Sequence, residues 1–124
     1  MKRALRSTNL DAYQIDYVNA HATSTKAGDI AETKALREIF GEQLDAIPVS
    51  SIKGAIGHPL GAAGAIESIA SIKAIETGII PATLHCDSRV ELAPLDVVPN
   101  VSRKGNVKTV LSNSFGTALI WQAP

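Results

Sequence analysis

An apolar run, a polar loop and a helix-forming segment follow one another twice within residues 15–78, and this order constrains the fold more than any other feature. In the first unit, Ile15-Asp16-Tyr17-Val18-Asn19-Ala20 is β-branched and aromatic, as a short buried strand requires. Beyond a polar turn, Asp29 and Glu32 have capping-box spacing, which predicts a helix with Asp29 as N-cap and Glu32 reaching back. Ala35, Leu36, Ile39 and Phe40 recur at helical spacing, and Gly41 supplies a stop. In the second unit, Ile47 to Ile52 reads as a strand, weakened at its start by Pro48. A glycine-punctuated loop leads to a helix from Gly61 to Thr77, closed by Gly78. Its alanines and isoleucines leave a narrow polar stripe at Glu67, Ser71 and Lys73, so it is expected to be buried on most sides.

Pro81 to His85 is expected to be extended, and residues 86–106, with Pro94, Pro99 and Gly105, read as a surface loop. Val107 to Leu111 and Thr117 to Trp121 are strand-like and joined by Ser112 to Gly116, which suggests a hairpin. Strands alternating with helices predict a single α/β domain over residues 1–124, with a mixed sheet around a central buried helix. Parallel units of this kind put the loops after the first two strands at carboxyl ends, where open α/β sheets bind ligands. Twelve basic and twelve acidic residues, with no basic run, argue against nucleic-acid and membrane-surface partners. No apolar run approaches the ~20 residues that cross a bilayer. Cys86 is the only thiol, so no internal disulfide forms, and a cytosolic or organelle-matrix location is expected.

Two histidines and a lysine stand out in those loops. His21 directly follows the first strand, and Thr23 and Thr25 alternate with Ala22 and Ser24. On an extended backbone both hydroxyls face one way and suit an elongated amide-bearing ligand; they equally suit turn hydrogen bonds before a helix. Lys53 and His58 flank Gly54 and Gly57, residues that let a ligand approach the backbone, and Pro59 keeps His58 out of the helix. A buried Lys53 would hold nearby imidazoles neutral, able to donate a hydrogen bond without charge; a solvated lysine and a capping histidine are the alternative. Cys86 sits between His85 and Asp87, but neighbours on an extended chain point to opposite faces, so a Cys–His nucleophile is not expected. No spacing suggests a metal site. Glu67, on the polar stripe of the apolar helix, suits a role orienting a loop or a histidine.

Three ordered motifs together resemble the β-ketoacyl-(acyl carrier protein) synthases, the type II elongating class above all. Val18-Asn19-Ala20-His21-Ala22-Thr23-Ser24-Thr25 with Gly28-Asp29 is similar to their first histidine motif. Ser51-Ile52-Lys53-Gly54-Ala55-Ile56-Gly57-His58, with Leu60-Gly61-Ala62-Ala63-Gly64-Ala65-Ile66-Glu67, is similar to their lysine and second histidine motif. Ser112-Asn113-Ser114-Phe115-Gly116 is similar to the start of their C-terminal glycine-rich motif. The resemblance implies the C-terminal half of a thiolase-like fold and decarboxylative condensation of malonyl-carrier protein with an acyl-enzyme. It implies that His21 and His58 bind the malonyl thioester oxygen, and that Lys53 sets the electrostatics and holds the second histidine. It further implies that Thr23 and Thr25 bind the phosphopantetheine arm and that the Phe115 N–H supplies half of an oxyanion hole. Asp29, Glu32 and Glu67 then match supporting acidic positions. No resident cofactor is implied, since phosphopantetheine arrives on the acyl carrier protein.

The chain also departs from the family. The family's cysteine nucleophile lies in the first half of its fold, so that half, or a further copy in a homo-oligomer, is an expected partner. Gly116 runs into Thr117-Ala118-Leu119 where the family continues with a second Phe and two glycines, so the residue that gates the acyl pocket is absent. A non-catalytic carrier- or pantetheine-binding module, or a scaffold, is the alternative to an enzyme half.

Overall fold

The computed structural model describes residues 1–87 and 95–115. Three short parallel strands form its central sheet in the order β2-β1-β5: β1 is Tyr17–Asn19, β2 Val49–Ser50 and β5 Val110–Ser112. Val18 pairs with Val49 on one side and Leu111 on the other, which fixes the register. The Asp16 carboxylate secures the β5 edge, its Oδ2 accepting the N–H groups of Lys108 (2.8 Å) and Thr109 (2.9 Å). A second, antiparallel pair joins β3 (Ile79–Ile80) to β4 (Arg103–Lys104). Helices α1 (Lys2–Thr8), α2 (Lys26–Phe40), α3 (Lys53–Ile56) and α4 (Ala63–Thr77) complete the described α/β architecture.

Side chains alternate across a strand, and β1 uses that alternation to divide the interior. Val18 packs with Leu36 and Phe40 of α2, together with Ile15, Leu44 and Val49. Tyr17 joins Ala74 of α4, Ile80, Val98 and Val107 in a second cluster. Asn19 lies on the Tyr17 side, and its Nδ2 donates to Glu67 O on α4 at 3.1 Å. Helix α2 therefore covers one face of the sheet and α4 the other.

Several sequence expectations need correction. Helix α2 starts at Lys26 with Thr25 as N-cap, and Asp29 lies in its first turn. The capping box does not form because the Glu32 carboxylate instead accepts the N–H groups of His21 and Ala22. Helix α4 is the reverse of a buried apolar rod. Ala63, Glu67, Ser71 and Ala74 face inward, whereas Ile66, Ile69, Ile72 and Ile75 are exposed. Lys73 is also outside, paired with Glu76 at 2.6 Å. The inward face is polar because Glu67 meets Lys53 there, and small because Ser71 and Ala74 lie against the sheet. Four residues in the loop, Lys53 to Ile56, form the short α3. The segment read as surface loop holds β4 and the buried Val98, and Pro99 bridges to Thr83.

Gly41 and Gly78 end α2 and α4 as expected. Gly78 adopts the left-handed conformation (φ 65°) that an L side chain disfavours, and its N–H closes on Ala74 O at 3.0 Å. The expected strand Thr117 to Trp121, its hairpin, Gly116 and Pro94 lie outside the described residues.

Candidate active site

Parallel pairing makes the three strands end on the same side, so the segments after Asn19, Ser50 and Ser112 converge. The first carries His21, the second Lys53 and His58, and the third Asn113, Ser114 and Phe115. The rings of His21 and His58 meet edge to face, centroids 5.3 Å apart and planes at 81°. Phe115 packs on the other side of His21 at 5.5 Å. His21 is half-buried, while His58 and Phe115 are exposed, so the imidazole pair is open to a ligand.

Beneath the rings lies a buried ion pair. Lys53 Nζ meets Glu67 Oε1, and Ser114 Oγ donates to Glu67 Oε2. Lys53 therefore bonds a carboxylate rather than His58, which departs from the expectation that it holds the second histidine. Its charge still reaches His21: burial, then the Lys53 ammonium, lowers the pKa of His21 below the ordinary 6.5 and favours the neutral ring.

The tautomer of His21 is set by a backbone group. The Phe115 N–H donates to His21 Nδ1 at 3.2 Å, so the neutral ring carries its proton on Nε2. In this structure that N–H serves the ring, not an oxyanion. Glu32 fastens the loop itself. Its Oε1 accepts from His21 N (2.9 Å) and Asn113 Nδ2 (3.0 Å), and its Oε2 accepts from Ala22 N (2.8 Å). Asp29 stands beside it; burial first, and the Glu32 charge second, raise its carboxyl pKa. The hydroxyls of Thr23 and Thr25 lie 3.4 Å apart at the loop rim. They meet through a turn, not an extended run, since Ser24 has φ 62°.

Residues with no assigned role in the sequence reading also build the site. Asn19 is fully buried and ties β1 to α4. Ser51 Oγ donates to Ala22 O at 3.2 Å, joining the first two loops. Asn113 and Ser114 each engage a buried carboxylate. Apart from their places in the three motifs, their signal in the sequence is a polar residue at a strand end, which a turn produces as readily. The backbone N–H and C=O of Cys86 are both held by the Asn100 amide. Among the described residues, no group of three His, Cys, Asp or Glu side chains could hold a metal ion.

The family model described as beta-ketoacyl synthase, C-terminal domain, matches residues 1–87. The chain belongs to this beta-ketoacyl synthase family. It is 43% identical over 116 residues to 3-oxoacyl-[acyl-carrier-protein] synthase 2 of Coxiella burnetii, covering 94% of the chain and 28% of that protein. A mitochondrial 3-oxoacyl-[acyl-carrier-protein] synthase of Arabidopsis thaliana is 48% identical over 119 residues, covering 94% of the chain and 26% of that protein. Among solved structures, a beta-ketoacyl synthase from Burkholderia phymatum superposes with a TM-score of 0.86 at 39% identity. That match covers 94% of the chain and 28% of the solved one. A type II polyketide ketosynthase solved with its acyl-carrier protein superposes equally well, TM-score 0.86 at 33% identity, covering 90% of this chain and 27% of that one. The thiolase-like ketosynthase fold is thereby established, and the chain spans under a third of the length of these relatives.

Proposed function

We propose that this chain forms the malonyl-handling part of a β-ketoacyl-(acyl carrier protein) synthase of fatty-acid or polyketide synthesis. The observation that carries this reading is the edge-to-face contact of His21 and His58 above the buried Lys53–Glu67 pair. In the proposed reaction, Nε2–H of His21 and the His58 ring hydrogen-bond the thioester oxygen of malonyl-carrier protein. The malonyl carboxylate leaves as carbon dioxide, and its bonding electrons pass into an enolate whose oxygen the two rings stabilise. The enolate carbon then attacks an acyl-cysteine thioester, forming the new carbon–carbon bond and releasing the thiolate. One well-aimed donor of this kind is worth roughly 3–4 kcal/mol of barrier.

Lys53 contributes charge rather than a direct bond: held by Glu67, it adds to the larger effect of burial in keeping His21 a neutral donor. Thr23 and Thr25, at the rim, suit the amides of the phosphopantetheine arm, which arrives on the carrier. Phe115 lies against His21, and its N–H would have to leave Nδ1 to serve an oxyanion. Cys86 is not proposed as the acyl-bearing nucleophile; that cysteine belongs to the part of the synthase outside the matched 28%. The exposed isoleucines of α4 suit packing against that part or against a second copy. Acyl carrier protein is the proposed partner, supported by the names of the relatives and by the solved ketosynthase–carrier complex. The proposed location is the cytosol or an organelle matrix.

Release of carbon dioxide from malonyl-carrier protein tests the reading, with and without a supplied cysteine-bearing half. His21→Ala and His58→Ala are each expected to slow release by about 10²–10³-fold. Equal rates in wild type and both variants, or no release with the half supplied, would overturn it.

A further inference from the structure

We propose that Asn113 and Ser114 are positioning residues, a two-point latch on the carboxylates of Glu32 and Glu67 that holds the Phe115 N–H against His21 Nδ1. Three consecutive residues of the strand-end segment each engage a different element. Asn113 Nδ2 donates to Glu32 on α2 at 3.0 Å, Ser114 Oγ to Glu67 on α4, and Phe115 N to the His21 ring after β1. The Asn113 N–H extends the β1–β5 ladder by one bond, to Asn19 O at 2.9 Å. Phe115 is exposed and touches the His21 ring by its own ring, while the two residues before it tie its backbone to the buried carboxylates.

Both carboxylates are shared with the machinery they would align. Glu32 Oε1 accepts from Asn113 and also from the backbone of His21, so ring and N–H donor are referenced to one atom. Glu67 binds Ser114 through one oxygen and Lys53 through the other. A lone N–H on an exposed segment would be a weak guide to an imidazole tautomer; one tied at two points to buried carboxylates is not free to drift. The bond also makes two states exclusive. Protonated Nδ1 is a donor and cannot face another donor, so an imidazolium at His21 requires the Phe115 N–H to withdraw.

The groups whose charges bear on His21 come from every neighbouring element: Glu32 and Asp29 from α2, Lys53 from α3, Glu67 from α4, and His58 from the following loop. Lys53 and His58 oppose the imidazolium and the carboxylates favour it, so the N–H donor adds to the first group. The meaning of the latch for catalysis rests on the proposed role of His21 as a donor, but the latch itself does not.

Nitrogen-15 NMR of the imidazoles in the 124-residue chain reads it directly. In wild type, His21 is expected as the Nε2–H tautomer above its midpoint, with the Phe115 amide resonance titrating at that same midpoint. Ser114→Ala is expected to mix the two tautomers and raise the midpoint, because a donor to the neutral form is loosened. Ser114→Thr, which keeps the hydroxyl, should restore both. A Phe115 amide that ignores the His21 titration in wild type overturns the proposal without any variant. An unchanged tautomer and midpoint in Ser114→Ala, or equal change in Ser114→Ala and Ser114→Thr, overturns it as well. Absence of carbon dioxide release by the wild type, with the cysteine-bearing half supplied and the NMR pattern as expected, would instead count against the proposed reaction alone.

Discussion

Substituting Glu67 by glutamine isolates the charge of the buried pair, because glutamine has nearly the same shape. Glu67 is 1% exposed and Lys53 8%, so neither can recover solvation when the other is lost. Removing one partner of such a pair leaves a buried, uncompensated charge and typically costs ~3–5 kcal/mol. The lower end, about 3 kcal/mol, applies here because the glutamine carbonyl still accepts a hydrogen bond from the ammonium. A domain of this length has a total stability of about 6–19 kcal/mol by the usual per-residue range, so the loss is a large share. With a urea slope of ~1.5 kcal/mol/M, the unfolding midpoint should fall by about 2 M. The double variant Lys53→Met with Glu67→Leu removes both charges and should recover most of that loss, since an apolar pair avoids the desolvation cost. Urea unfolding followed by circular dichroism measures all three chains. A Glu67→Gln midpoint within about 0.3 M of wild type, or a double variant no better than the single one, would refute the reasoning.

Other outcomes follow from packing and titration. A Cβ at Gly54 would sit 2.7 Å from the backbone O of Leu84, so Gly54→Ala should cost about 1–3 kcal/mol, visible as a lowered Tm; an unchanged Tm would contradict that close approach. Burial raises the phenol pKa of Tyr17 from 10.0 to about 12 against the opposing Ser50 hydrogen bond, so the folded chain holds that proton longer than the unfolded one. Stability should therefore decline as pH rises from about 10 to about 12, a decline that Tyr17→Phe should make shallower in denaturation curves taken across that range. The isoleucine face of α4 should drive self-association, and Ile69→Glu with Ile72→Lys should reduce it in light scattering; a monodisperse wild-type monomer would count against this.

The elements that short-range chemistry controls were legible in the chain. Tyr17 and Val18 marked a buried strand, Gly41 and Gly78 marked helix ends, and the histidine loops fell at strand ends as parallel units require. Glu32 shows where that reading stops. Its spacing from Asp29 suited a cap, yet two N–H groups ten and eleven residues back in the chain offered its carboxylate a better-satisfied site. Helix α4 is the larger lesson. Periodicity located the stripe of Glu67 and Ser71 but could not say that it faced inward, because the reason is Lys53, fourteen residues away, and Asn19, forty-eight away.

The sequence by itself thus determined the two strand–loop–helix units within residues 15–78 and the placing of His21, Lys53 and His58 in their loops, since these depend on neighbours along the chain. Tertiary structure decided which face of α4 is buried, which partner Lys53 takes and which nitrogen of His21 holds the proton. Those outcomes turn on groups as far as 94 residues apart, and a buried charge or donor is stable only where folding happens to bring its complement.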